Sequence, residues 1–229
     1  MLPTTLGDNQ LSDIIPSKNN EIAISLRYFI VEELRTARRF LKKVDSRFDI
    51  DATTFFVLNE HTPSQEVSAM LQPLRDGFDM GLLSEAGCPA VADPGADAVA
   101  IAQQEGIKVV PLVGPSSILL SLMGSGFSGQ CFSFRGYLPL DASARSKELK
   151  RMESRIYQDG ETQIFIEAPY RNKKMVADLL AYCQPVTKLC IACNLTMPDQ
   201  YLVTKTIQDW KRSAIPEIDK RPAIFLLYR

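Results

Sequence analysis

The sequence predicts an α/β chain of two domains, and three observations carry that prediction. β-prone and helical runs alternate from Arg27 to Val113, which argues for a mostly parallel sheet covered on both faces. Two apolar runs, Leu82 to Gly95 and Leu112 to Ser117, end in small residues, Gly and Pro, as buried strands do when they open into loops that approach a ligand. Two such loops suggest a ligand crevice at the carboxyl ends of parallel strands. After Gly114-Pro115 the chain changes character, so the domains are expected to be 1–113 and 114–229, with the boundary between Gly114 and Ser117.

Pro3 to Pro16 is rich in turn formers and reads as an ordered loop or a loose terminus. Arg27 to Val31 is a short β-prone run, and Glu32 to Val44 turns helical with acids first and basic residues late, matching the helix dipole. Thr53 to Leu58 is a β-branched and aromatic strand; Ser64 with Glu66 opens a helix through about Asp76, closed by Gly77. A strand at Met80 to Leu83, a helix at Gly95 to Glu105 and a strand at Lys108 to Val113 follow. In the second half the expected elements are a small-residue helix, Ser116 to Met123, a strand at Cys131 to Phe134 and a basic helix from Ser143 to about Tyr157. A strand at Gln163 to Glu167, a helix at Asn172 to Cys183, and strands at Lys188 to Cys193, Gln200 to Thr204 and Pro222 to Tyr228 complete the chain.

Composition narrows the chemistry. With 229 residues and a formal net charge of -1, the chain can bury a core and has no global attraction to polyanions, so any such site is a local patch. Five scattered cysteines read as reduced, buried thiols, and no signal peptide or membrane-spanning run is evident, which places the expected protein in the cytoplasm with no membrane partner. His61 is the sole histidine, which rules out a multi-histidine metal centre, and no metal site is expected. Gly124 to Gly129 has the spacing of a dinucleotide fingerprint but follows a helix and precedes a strand, the wrong order for that motif. Cys190 and Cys193 sit in one strand with no second pair, and read as core thiols.

Ser84-Glu85-Ala86-Gly87-Cys88-Pro89 with Asp93-Pro94-Gly95 resembles the Ser-Asp-Ala-Gly-Thr-Pro and Asp-Pro-Gly signature of the ribosomal RNA small subunit methyltransferase I family, a branch of the tetrapyrrole methylase superfamily. Other segments match in the same order: Pro3 to Gly7, Glu33-Leu34-Arg35-Thr36, Asn59-Glu60-His61, Pro111 to Ser117, Arg135 to Pro139 and Ile166 to Arg171. The resemblance covers nearly the whole chain. It implies two α/β domains with S-adenosylmethionine in a cleft between them, and a homodimer. Loops rich in backbone carbonyls, without the Walker spacing of a phosphate cradle, suit a sulfonium cation and a planar heterocycle.

Carried over residue by residue, the resemblance places Pro3, Ser84, Glu85, Ala86, Ser116, Ser117, Glu167, Ala168, Pro222 and Ala223 at the cofactor. It makes Glu33 and His61 the catalytic candidates, with Arg35, Glu60 and Arg171 as substrate-binding residues. The implied reaction is methylation of a cytidine ribose 2′-hydroxyl in RNA of the small ribosomal subunit. Two alternatives stay open: the same chemistry on a tetrapyrrole or other small molecule, and a binding protein that has kept the cofactor site without turnover. Several positions depart from the family pattern. Met1 and Leu2 stand where the family has a β-strand, so the chain is expected to lack most of that strand or to begin downstream of its natural start. Glu85 replaces Asp, Cys88 replaces Thr, Leu34 replaces Asp, and the chain ends at Arg229 without the further segment of many family members.

Overall fold

The computed structural model describes residues 1–59 and 61–229, which divide into two compact units, 1–116 and 117–229. Ser116 and Ser117 stand on either side of that division.

In the first unit the elements are α1 (Leu11–Ile14), α2 (Ser17–Ser25), β1 (Tyr28–Val31), α3 (Leu34–Val44), β2 (Thr54–Val57), α4 (Ser64–Met70), α5 (Gln72–Arg75), β3 (Met80–Leu83) and α6 (Gly95–Gln104). The strands lie in the order β2-β1-β3 and all pairs are parallel, with Val31 opposite both Val57 and Leu83. Alternation along β1 sorts the core onto two faces. Phe29 and Val31 pack with Ala23, Leu41 and Phe48 on one side, and Ile30 packs with Leu58, Val67, Leu71 and Ala98 on the other. Crossover helices on both faces are what a parallel sheet requires.

Three local expectations change. The helix expected from Ser64 to Asp76 breaks at Leu71 into α4 and α5, because Pro73 has no N–H to donate and its ring opposes an unbroken helix. Helix α2 is additional; its sequence has no continuous apolar stripe, and just Asn19 and Ala23 are buried. Lys108 to Val113, expected as a strand, is extended chain without a strand's ladder. Its neighbour in the sheet is a two-residue stub: Leu2 bridges Leu83, its N–H donates to the Leu82 carbonyl (2.9 Å), the Met1 amine donates to the Val110 carbonyl (2.9 Å), and Leu112 N–H donates to the Met1 carbonyl (3.1 Å). An apolar cavity of about 350 Å3 is lined by Leu26, Met80, Leu82, Val110 and Leu112 among others.

The second unit comprises α7 (Ser117–Ser125), β4 (Phe132–Tyr137), α8 (Ala142–Asp159), β5 (Thr162–Ile166), α9 (Asn172–Tyr182), β6 (Lys188–Cys193), β7 (Tyr201–Thr206), α10 (Ile207–Lys211) and β8 (Ala223–Tyr228), with a 3-10 turn at Pro169–Arg171. The sheet order is β4-β5-β8-β6-β7; β4 and β5 are parallel and the remaining pairs antiparallel. Phe165, Leu189 and Phe225 meet Leu149, Met152 and Ile156 of α8 and Met175 and Leu179 of α9. Trp210 of α10 is fully buried and donates from Nε1 to the Leu189 carbonyl (2.8 Å).

All five cysteines are free thiols. Burial, with a smaller contribution from Glu153, pushes Cys183 up to about 12, and burial pushes Cys190 up to about 11. Since the thiolate is the reactive form, alkylation at neutral pH is expected at exposed Cys131 and to spare Cys183 and Cys190 until denaturant is added; peptide mapping by mass spectrometry checks this. Among the described residues no helix is long and apolar enough to cross a membrane.

Candidate active site

At the carboxyl ends of β1, β2 and β3 the first unit gathers Glu33 and Arg35, His61, and Ser84, Glu85 and Ala86. Ser84 is buried, and its hydroxyl donates to the Gly87 carbonyl (3.1 Å), curling the loop back on itself. Thr4 fastens that curl from the other side: its N–H donates to the Gly87 carbonyl (3.0 Å) and its hydroxyl to the Ser84 carbonyl (3.3 Å). The Cys88 thiol donates to the Pro115 carbonyl (3.3 Å). Burial pushes that thiol up, which keeps it a donor, so it can do the work of a threonine hydroxyl at this place. The Asn19 amide donates to the Val113 carbonyl (2.8 Å). Gly87 has φ +76°, and Gly114 lies so close to Pro3 that a Cβ there would sit 2.1 Å from the Pro3 Cβ. Pro3-Thr4, Ser84 to Cys88 and Val113 to Pro115 are therefore one backbone knot, while the side chains of Glu85 and Ala86 are exposed.

Asp93 was not among the residues expected at the site, yet it shapes this loop. Its Oδ1 accepts the N–H groups of Ala90 and Gly95, both at 2.8 Å, and holds Ala90 (φ 65°) in the left-handed region; Ala92 (φ 61°) lies there too. Alanine is rarely found there, and the conformation persists where surroundings impose it. Burial raises the Asp93 carboxyl above the ordinary range, against the lowering effect of the two N–H groups. Its Oδ2 is buried and has no hydrogen-bond partner among the described residues. The signal available in the sequence was Asp-Pro-Gly before a helix, an aspartate placed to bind the first helical N–H. Asp93→Ala is expected to weaken S-adenosylmethionine binding about tenfold and Asp93→Asn much less, because the amide oxygen still accepts both bonds; calorimetric titration of the two variants checks this.

Glu33 caps α3. Its carboxylate accepts Arg35 N–H (2.9 Å), Thr36 N–H (2.6 Å) and the Thr36 hydroxyl (2.9 Å). The Arg35 and Thr36 backbone donors hold it below the ordinary carboxylate range. Every bond that favours the anion makes it a weaker base. His61 is exposed beyond β2, with its N–H donating to the Asn59 Oδ1 (3.0 Å). Arg35 is exposed at the first turn of α3, and Glu60 lies outside the described residues.

The remaining expected residues collect at one end of β5 and β8, where Ile166 lies opposite Ile224. Glu167 is buried, and its Oε1 accepts Ala168 N–H (2.7 Å) and Arg171 Nε–H (2.8 Å), with Arg171 Nη2 also in contact. Arg171 is thus turned to Glu167, with its guanidinium 5.4 Å from the Tyr170 ring centre. Asn172, fully buried, donates to the Ile218 and Arg221 carbonyls (2.9 and 2.8 Å), and Lys220 N–H donates to the Pro169 carbonyl (3.1 Å), which fixes the approach to Pro222 and Ala223. Ser117 opens α7. Among the described residues no group of three His, Cys, Asp or Glu side chains could hold a metal ion.

Residues 24–211 match the family model described as Tetrapyrrole (Corrin/Porphyrin) Methylases. The chain is 31% identical over 220 residues to the Vibrio cholerae protein named ribosomal RNA small subunit methyltransferase I, a match covering 93% of this chain and 72% of that one. To the Escherichia coli protein of the same name it is 29% identical over 196 residues, 86% of this chain and 64% of that one. Among solved structures, the methyltransferase CobJ superposes with a TM-score of 0.62 at 16% identity, covering 95% of this chain and 89% of that one. Uroporphyrin-III C-methyltransferase from Thermus thermophilus, complexed with S-adenosylhomocysteine, gives 0.53 at 14% identity, covering 95% and 92%. These structural likenesses establish the shared fold.

Proposed function

The chain belongs to the ribosomal RNA small subunit methyltransferase I family of tetrapyrrole methylases and is an S-adenosylmethionine-dependent methyltransferase, and we propose that its acceptor is a cytidine ribose 2′-hydroxyl in small-subunit ribosomal RNA. The observation that carries the reading is the backbone knot at the carboxyl ends of β1 to β3, the end of a parallel sheet where ligands bind. The loop composition suits the cofactor: neither residues 82–95 nor 112–117 contain a Lys or Arg that would mark a phosphate cradle.

When bound, S-adenosylmethionine supplies an activated methyl group. Ser84, Glu85 and Ala86 are the proposed contacts to its methionine and ribose part, and Pro3, Ser116 and Ser117 are further proposed cofactor contacts. Glu167, Ala168, Pro222 and Ala223 are the proposed nucleoside contacts. Held in line, a hydroxyl acceptor needs little beyond position and removal of its proton. We assign the proton to His61, whose ring sits past the end of β2. Glu33, ionised and locked into the start of α3, positions Arg35, which with Glu60 and Arg171 binds the substrate. His61→Gln is expected to lower kcat about 100-fold with S-adenosylmethionine affinity unchanged; single-turnover kinetics beside calorimetry separates the two. A homodimer in the cytoplasm is the proposed assembly and compartment.

Transfer of tritiated methyl from S-adenosylmethionine to unmodified small ribosomal subunits, followed by nucleoside digestion, tests the reading. Label in 2′-O-methylcytidine is expected. Label on a porphyrinogen offered in parallel, and none on RNA, would favour the small-molecule alternative; cofactor binding with no transfer to either would favour the binding protein without turnover.

A further inference from the structure

The geometry points to a phosphate-binding stripe on α3, formed by Arg35, Arg38, Arg39 and Lys42, along which the sugar-phosphate backbone of the RNA runs away from the acceptor site. The inference rests on the RNA reading above. Helix α3 contains five basic residues and no acid. Arg35, Arg38, Arg39 and Lys42 are all exposed and recur at spacings of three and four, one side of a helix that rises about 1.5 Å per residue, so the stripe is roughly 10 Å long. Like charges at these spacings repel, and the local structure does little to relieve them.

Lys43 is drawn aside to Asp8 (2.7 Å), whereas none of the four stripe residues has a carboxylate within ion-pair distance among the described residues. Glu33 faces Arg35 at the helix start but spends its oxygens on backbone N–H groups and the Thr36 hydroxyl. Arg38 is steadied 5.7 Å from the Phe55 ring centre, and Lys42 donates to the Ser46 carbonyl (3.0 Å), so both heads are held rather than loose.

The other basic helix provides the contrast. On α8, Arg151 pairs with Glu148 (2.9 Å) and Arg155 with Asp159 (3.5 Å), so that helix neutralises much of its own charge. The opposite face of α3, with Ala37 and Leu41, is buried in the first unit's core, which leaves no apolar edge to enter a lipid surface. An anion met by polar contact alone is what remains. Arginine forks match phosphodiester oxygens in pairs.

The test compares wild type with the triple variant Arg38→Gln, Arg39→Gln, Lys42→Gln, leaving Arg35 intact. Binding to an unmodified small-subunit ribosomal RNA transcript is titrated at several salt concentrations. Losing three phosphate contacts should reduce the steepness of log affinity against log salt by about 2 and raise the KM for RNA at least about tenfold. Thermal midpoint, S-adenosylmethionine affinity and kcat at saturating RNA should stay at wild-type values. A second triple variant, Lys147→Gln, Lys150→Gln, Arg151→Gln on α8, should leave the salt slope unchanged.

Equal slopes for wild type and the α3 variant, or a loss confined to the α8 variant, overturn the stripe and leave the RNA reading standing. Wild type that binds the transcript but never methylates RNA overturns that reading while the slope comparison still decides the stripe. No binding of the transcript by wild type, or equally tight binding to phosphatidylserine vesicles, overturns the stripe.

Discussion

Gly114→Ala is expected to raise the Kd for S-adenosylmethionine about 100-fold, or about 2.7 kcal/mol, within the about 1–3 kcal/mol that overpacking costs. The new methyl would stand 2.1 Å from the Pro3 Cβ and 2.5 Å from its Cγ, so the proline must move. Pro3 is joined directly to Thr4, and Thr4 holds both the Ser84 and the Gly87 carbonyls. Displacement at Gly114 therefore propagates to Ser84, Glu85 and Ala86 without touching them. Overpacking of this kind lowers stability by about 1–3 kcal/mol, which urea denaturation measures alongside the calorimetric titration. Gly129→Ala is the control: its Cβ would meet nothing closer than Leu122 at 3.9 Å, and neither quantity should change.

Glu167→Ala is expected to destabilise the protein by about 2 kcal/mol and to leave Glu167→Gln clearly more stable than Glu167→Ala. Breaking a buried ion pair by removing one partner typically costs about 3–5 kcal/mol. The Glu167 side chain is 4% exposed but Arg171 is 25% exposed, so water recovers part of the loss at the guanidinium. The Gln variant keeps an acceptor for Ala168 N–H and Arg171 Nε–H. Denaturant midpoints at neutral pH decide this. Function is expected to suffer as well, since Glu167 is a proposed nucleoside contact and Arg171 then loses the contact that orients it.

The central parts of this architecture were legible because local pattern and tertiary packing agree there. β1 is an apolar run whose alternate residues fill opposite cores, and α3 follows it with an acid at its cap and basic residues at its end. The loops after Leu83 and Val113 were marked by Gly, Pro and small residues, which the structure uses for the Gly87 turn and the Gly114 to Pro3 contact. What failed depended on partners distant in the chain. Lys108 to Val113 has a strand's composition, but a strand exists through its ladder, and here the segment exchanges two bonds with Met1, at Val110 and Leu112. Helix α2 is held by Asn19 reaching Val113, a contact no periodicity reveals. The contacts of the candidate residues were not legible either: Glu33 caps its helix, and Arg171 is held by Glu167. Asp93 stood out in the sequence as part of the Asp-Pro-Gly signature alone, while its carboxylate shapes the loop beside the proposed cofactor contacts.

The most direct measurement is calorimetric titration of the wild-type chain with S-adenosylmethionine and with S-adenosylhomocysteine. Saturable binding of both, one ligand per chain and lost together in Gly114→Ala, is the predicted result. No heat of binding for either ligand from a folded chain, or affinity unchanged by Gly114→Ala, would contradict the assignment of the cofactor to these loops.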